Sequence, residues 1–180
     1  RGLGDVYKRQ VSSSGHLEIT RELLGTNQLP SDNLLMTSVL HFATALSTIL
    51  VFRKDIYDLI KGLFDKENKT SKSYVIKILI AIVPAGLVGF LLSDEIEFLF
   101  SGNMTLVGIM LIITGTLLFL TKILKTKNFK ISKVHALIIG LSQAFAVIPG
   151  ISRSGATICT SLFLGNNKSE AAKFLSLIHI

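Results

Sequence analysis

Cysteine occurs once, and charged residues make up only 17% of the 180-residue sequence. A single cysteine excludes a disulfide-stapled scaffold. A soluble domain carries about a quarter charged residues, so the charge falls short of an ordinary solvated surface. Acid is the scarcer sign: 12 Asp and Glu stand against 19 Lys and Arg, a net +7. What is abundant is apolar. These residues reach 49%, with a mean hydropathy of +0.55, which excludes intrinsic disorder. The length permits one ordinary domain or a four-to-six-helix membrane bundle. The basic excess suits nucleic acid or an anionic membrane surface, and its placement decides between them.

Both ends read as foreign to the rest. The peptide DVYKRQ (5–10) back-translates to GAT GTG TAT AAG AGA CAG, whose reverse complement encodes LSLIHI (175–180). One short DNA element in inverted orientation explains both peptides, and it resembles the transposon end used in tagmentation sequencing libraries. Residues 1–10 and 175–180 are therefore expected to be translated adapter, leaving 11–174 as a single integral-membrane domain and an internal fragment. That stretch carries 16 Lys and Arg against 11 Asp and Glu, a net +5.

Four runs are long and apolar enough to cross a ~30 Å hydrocarbon core as helices: 34–52, 74–92, 104–121 and 134–152. Lys77 lies close enough to a span end to snorkel, and Pro84 is expected to kink its helix. Between the first two runs lie Arg53, Lys54, Lys61, Lys66, Lys69 and Lys72. Between the last two lie Lys122, Lys125, Lys127, Lys130 and Lys133. The intervening 93–103 has no Lys or Arg and carries Asp94, Glu95 and Glu97. This alternation places both basic loops in the cytoplasm and the acidic loop outside. Nucleic acid is not an expected partner, because the basic balance reports topology. With this orientation, 11–33 approaches from the outer side and 149–155 emerges at the outer end.

Those two outer segments resemble each other. Val11-Ser12-Ser13-Ser14-Gly15 aligns with Ile151-Ser152-Arg153-Ser154-Gly155, 140 positions later. Each precedes a stretch too short to span, ending at Gly25 and Gly165, which defines short re-entrant segments at 12–24 and 154–164. Repeats with interrupted short helices mark inverted-repeat membrane folds whose site lies at the repeat interface. The alternative is two unrelated Ser-Gly turns. The expected fold is thus all-α, a polytopic membrane helix bundle with inverted repeats and re-entrant or broken helices.

The chemistry of the two loops is that of an oxyanion site. Ser and Gly at a helix start direct backbone N–H groups and the positive end of the helix dipole at a ligand. A Gly lets an anion approach closely. Arg153 adds a fork that binds phosphate oxygens bidentately, and a charge within 134–164 is costly unless it serves an interior partner. His16 exchanges protons near neutral pH. Hydroxyls, an Arg and a His opening outward from a bilayer suit a phosphorylated lipid.

The motifs VSSSGHL (11–17) and PGISRSGATI (149–158), with Gln143 in the run LSQAFAVIPG, resemble the two signatures of the undecaprenyl-diphosphate phosphatase family, the bacitracin-resistance type. The resemblance implies hydrolysis of undecaprenyl diphosphate to the monophosphate and inorganic phosphate, recycling the cell-wall lipid carrier. It implies a multi-pass protein of the bacterial inner membrane with its active site on the extracytoplasmic side. Catalytic residues by resemblance are Ser13 as nucleophile, His16 as proton donor or base, and Arg153 for the diphosphate. Direct attack by water, with Ser13 a ligand only, is the alternative, and His16 and Arg153 each have a structural alternative. Ser12, Ser14, Gly15, Ser152, Ser154, Gly155 and Thr157 complete the substrate cradle. The family also uses carboxylates just upstream of the first motif and a divalent cation, Mg or Ca. Residues 5–10 occupy that position here, so no metal ligands are assigned and the 180-residue chain is expected to be inactive. Expected partners are the polyprenyl diphosphate, the bilayer and a second copy of the chain as a homodimer.

Other polar residues are given blander readings. Glu18 and Glu22, four apart, either replace the missing carboxylates or form a solvated helix face. His41 reads as an interhelical hydrogen-bond partner, His135 as an interfacial anchor, and Cys159 as a small buried residue. The other lipid phosphatase superfamily needs a second His after its Ser-Arg, which only His179 supplies. The alternative function is a transporter or lipid flippase with an anion-binding inverted-repeat site.

Overall fold

The structure, a computed structural model, describes residues 30–64, 69–92, 104–123, 128–148 and 150–178, together with Ile19 and Leu23. Among the described residues the chain is all-helical: α1 (Pro30–Val51), α2 (Arg53–Phe64), α3 (Lys69–Leu91), α4 (Met104–Ile123), α5 (Lys133–Phe145), α6 (Arg153–Phe163) and α7 (Lys168–Ile178). The only extended pairing among them is an isolated bridge between Phe129 and Asn166.

Among the described residues, two helices have the length and composition to cross a bilayer, Thr70–Leu91 within α3 and Met104–Thr121 within α4. Their large apolar side chains, including Phe90, Ile112 and Phe119, are exposed and not packed inside the bundle. An uncovered apolar surface of that extent needs a non-aqueous environment. The architecture is that of a membrane helical bundle. Pro84 lies inside α3, which continues through it to Leu91.

α3 and α5 make the most extensive helix–helix contact. Its cause is local: a Cβ on Gly140 of α5 would lie 2.6 Å from the Ala81 carbonyl oxygen and 2.9 Å from the Ala81 Cα. A small residue on each helix lets the backbones touch, the usual device where lipid removes the hydrophobic drive to associate. Around this contact Ala136, Ile139, Ile158, Leu162 and Phe174 form the buried core, and Tyr74 meets Phe174 edge-on with ring centroids 5.8 Å apart. The Lys173 ammonium pairs with the Asp55 carboxylate, tying α7 to α2.

The run 134–152 is not one spanning helix, which corrects the sequence expectation. α5 has 13 residues, about 20 Å, and ends with Ala146 as its C-cap. Gly150 follows at φ +92°, a conformation that L side chains rarely adopt, and Ser152 then starts α6. Gly150 reverses the chain at the break, with the positive φ that glycine adopts freely. α5 and α6 therefore form a helical hairpin. At its base the Phe129 N–H donates to the Gly165 carbonyl (3.0 Å), and the Asn167 N–H donates to the Phe129 carbonyl (3.0 Å). α6 closes in a Schellman motif, with Gly165 at φ +76° and the N–H groups of Gly165 and Asn166 donating to the carbonyls of Leu162 and Ser161.

At the same base the His135 Nδ1–H donates to the Asn166 side-chain oxygen at 2.7 Å, and the Asn166 amide donates to the Ser161 hydroxyl at 3.1 Å. His135 thus holds the two arms together, a more specific task than interfacial anchoring. α7 runs on through 175–178, where Leu175, Leu177 and Ile178 are buried. The apolar spacing of that stretch suffices for burial, whatever its origin.

Candidate functional site

The tip of the α5–α6 hairpin gathers the Ser-Gly loop of the second motif. Its N-cap is Ser152, whose hydroxyl oxygen accepts from the Gly155 N–H at 3.1 Å, while its carbonyl accepts from the Ala156 N–H at 2.8 Å. Serine at this position satisfies donors that every helix start leaves without an intrahelical partner. The Ser152 hydroxyl also lies 3.3 Å from that of Ser154. Either hydroxyl can be the donor of that contact, since the Ser152 oxygen keeps a second lone pair beyond the one facing Gly155.

A residue outside the motif anchors this cap. Thr114 of α4 is buried, and its Oγ1 accepts from the Ser152 N–H at 3.3 Å while donating to the Met110 carbonyl at 2.9 Å. The Gly150 carbonyl is a further acceptor at 3.5 Å. Gly150 itself sits against α4 so closely that a Cβ would lie 2.7 Å from the Val107 carbonyl oxygen and 2.9 Å from the Met110 Cβ. Sequence reasoning missed Thr114. The available signal was a hydroxyl inside an otherwise apolar run, which in a membrane helix commonly marks a contact with another helix.

The depth of the tip follows from these contacts. Val107, Met110 and Thr114 lie about 5, 9 and 15 Å along the axis from the start of α4 at Met104. The loop therefore ends within the apolar span of α4, in the half away from the hairpin base. A 13-residue α5 accounts for this depth, since it is too short to run the full length of α4.

The sequence-derived site residues fall into three groups. Ser152, Arg153, Ser154 and Gly155 are brought together in the cap and first turn of α6. Arg153 is exposed at the first helical position, and Ser154 is half-buried beside it. At Gly155 a Cβ would lie 3.0 Å from Ser152 Cβ and 3.1 Å from its Oγ, so glycine makes room for the cap. Thr157 is fully buried, with its hydroxyl donating to the carbonyls of Arg153 (3.0 Å) and Ser154 (3.2 Å). It braces the first turn from behind. Ser12, Ser13, Ser14, Gly15 and His16, as well as Glu18 and Glu22, lie outside the described residues.

Gln143, two residues before the end of α5, is buried, and its side-chain oxygen has no hydrogen-bond partner. A buried amide oxygen without a donor costs on the order of 1–3 kcal/mol. Among the described residues no group of three or more His, Cys, Asp or Glu could hold a metal ion. The hairpin tip offers hydroxyls and a guanidinium, an anion-binding set with no carboxylate.

The family model described as "Bacitracin resistance protein BacA" matches residues 11–180. Among curated relatives, an undecaprenyl-diphosphatase of Christiangramia forsetii is 51% identical over 168 residues, which is 93% of this chain and 64% of the relative. One of Bacteroides fragilis is 44% identical over 171 residues, covering 94% of this chain and 64% of the relative. One of Halothermothrix orenii is 40% identical over 171 residues, with 93% and 62% covered. The chain thus spans a little under two thirds of the length of these relatives. It belongs to the bacitracin resistance protein BacA family.

Proposed function

We propose that a full-length protein carrying this sequence hydrolyses undecaprenyl diphosphate to undecaprenyl phosphate and inorganic phosphate. The observation that carries this reading is the tip of the α5–α6 hairpin. There a Ser152-capped helix start, with Arg153 and Ser154 in its first turn, is held inside the apolar span of α4 by Thr114. The positive end of the α6 dipole and the Arg153 guanidinium together favour a polyanion at membrane depth. The diphosphatase name of the relatives supports the same ligand.

In the proposed reaction water adds to the terminal phosphorus, the anhydride bond to the bridging oxygen breaks, and the lipid monophosphate leaves. Arg153 neutralises charge that grows on the phosphoryl oxygens, and the Ser154 hydroxyl donates to one of them. In this water route Ser13 is a ligand only. With Ser13 as nucleophile instead, its oxygen displaces the lipid monophosphate, and water then hydrolyses the phosphoseryl to inorganic phosphate. His16 is the proton donor or base in either route. A divalent cation, Mg or Ca, belongs to the proposal only with carboxylates from outside the described residues, and no step above depends on one.

The tip packs on the half of α4 away from the hairpin base, and that base carries Lys130 and Lys133. The positive-inside rule then supports an extracytoplasmic site in a bacterial inner-membrane protein. A homodimer remains part of the proposal. Interrupted helices in a hairpin also favour a second reading, a transporter or flippase for the same lipid anion. Full-length protein in detergent should release inorganic phosphate from a C55 lipid diphosphate. Lipid translocation by the full-length protein without phosphate release would replace the first reading by the second.

A further inference from the structure

α2 has two apolar faces, and among the described residues the bundle packs on only one of them. Asp55, Ile56, Leu59 and Gly62 are buried or half-buried on the side that packs on α3 and pairs with Lys173 of α7. On the other side Tyr57, Ile60 and Phe64 stand at i, i+3 and i+7 and are 65%, 50% and 86% exposed. At 100° per residue these three fall within an arc of roughly 60°, and the exposed Arg53 at the helix start lies in the same arc. Lys54 and Lys61, both exposed, flank that stripe on one edge within about 20° of each other. Asp58, the exposed acid of α2, lies beyond them, away from the stripe.

The chain leading into α2 restricts what can cover this stripe. α1 ends at Val51 in the apolar stretch Phe42–Val51, and α2 begins at Arg53 after a single residue. The hydrogen-bond ladder barely breaks, since the Phe52 N–H donates to the Thr48 carbonyl and the Ile56 N–H to the Phe52 carbonyl, both at 2.9 Å. The start of α2 is therefore held where an apolar helix reaches its end. Twelve residues, about 18 Å, with five charged side chains are too short and too polar to cross a bilayer. An apolar stripe rimmed by lysines at that level matches a membrane surface: rings and aliphatic groups enter the acyl boundary, and lysine stems reach up to phosphates. The positive rim selects anionic headgroups.

We propose that α2 is an in-plane anchor that binds anionic phospholipids of the leaflet at the basic side through Lys54 and Lys61, while Tyr57, Ile60 and Phe64 enter the acyl boundary. The sequence has no tryptophan, so Phe64→Trp places a single fluorophore on the stripe. The 180-residue chain is reconstituted in vesicles of phosphatidylcholine and phosphatidylglycerol in equal parts, brominated either near the headgroup or near the chain end. Shallow bromines should quench F64W at least twofold more than deep ones. Ile112→Trp, on the exposed face of α4, should show the reverse order and reports insertion. Asp58→Trp, on the far flank of the same helix, should be quenched at most half as strongly as F64W. In the F64W background, Lys54→Glu with Lys61→Glu should lower quenching by brominated phosphatidylglycerol at least twofold. The anchor is overturned if D58W and F64W are quenched alike, or if I112W is quenched and F64W is not, the result expected of a protein segment covering the stripe. Unchanged phosphatidylglycerol quenching in the double lysine variant would overturn the headgroup assignment.

Discussion

Replacing Gly150 by alanine strikes two features of the hairpin tip together. At φ +92° an L side chain is strained, by roughly 1–2 kcal/mol on the scale of the left-handed region. The added methyl would also lie 2.7 Å from the Val107 carbonyl oxygen, 2.9 Å from the Met110 Cβ and 3.2 Å from the Val107 Cα. Two of these three atoms are α4 backbone, so no rotamer change relieves them, and overpacking of this kind costs about 1–3 kcal/mol. The expected loss is roughly 2–5 kcal/mol. It is read by denaturant titration in mixed micelles, followed by helical circular dichroism. Gly86→Ala is the matched control: nothing lies within 4 Å of its Cβ position, and alanine gains about 0.5–1 kcal/mol in a helix interior. A G150A chain within about 0.5 kcal/mol of the parent would refute the packing of the tip on α4. In a full-length protein the same change should also slow phosphate release, because it pushes Ser152 away from Thr114.

Gly140→Ala should destabilise the α3–α5 contact despite its better helix propensity, since three Ala81 backbone atoms lie 2.6–3.0 Å from the new methyl. Overpacking of about 1–3 kcal/mol opposes a propensity gain of up to about 1 kcal/mol, and a G140A chain as stable as G86A would contradict the close approach. Thr114→Val keeps the shape of the side chain but removes the acceptor for the buried Ser152 N–H. The orphaned donor should cost about 1–3 kcal/mol, measured by the same titration, and unchanged stability would show that the α4 anchor is unimportant.

Much of this was legible in the sequence, and the misses have physical causes. The apolar runs 74–92 and 104–121 coincide closely with α3 and α4, because an uninterrupted apolar stretch has few other ways to satisfy its backbone. Gly165 as a helix stop was legible, since glycine accepts the positive φ of a Schellman turn. The run 134–152 misled because its hydropathy is continuous across the break, while Gly150 acts locally on the backbone. Arg153, Ser154 and the Ser152 cap followed from residue types at adjacent positions. Thr114 and Asn166 did not, because each acts across more than 30 residues of chain, and only the folded hairpin brings the partners together. At Gly155 the missing Cβ leaves space that the neighbouring Ser152 takes up. Residue type announced the need for space, and only packing showed what fills it.

The central claim is that the first turn of α6 binds and activates a lipid diphosphate through Arg153. Its most direct test is the rate of phosphate release from a C55 lipid diphosphate by the full-length protein, compared with Arg153→Ala at matched folding. Loss of one such charge-stabilising group typically lowers the rate by about 100-fold or more, and that loss is the predicted result. An Arg153→Ala rate within about threefold of the parent would contradict the assignment.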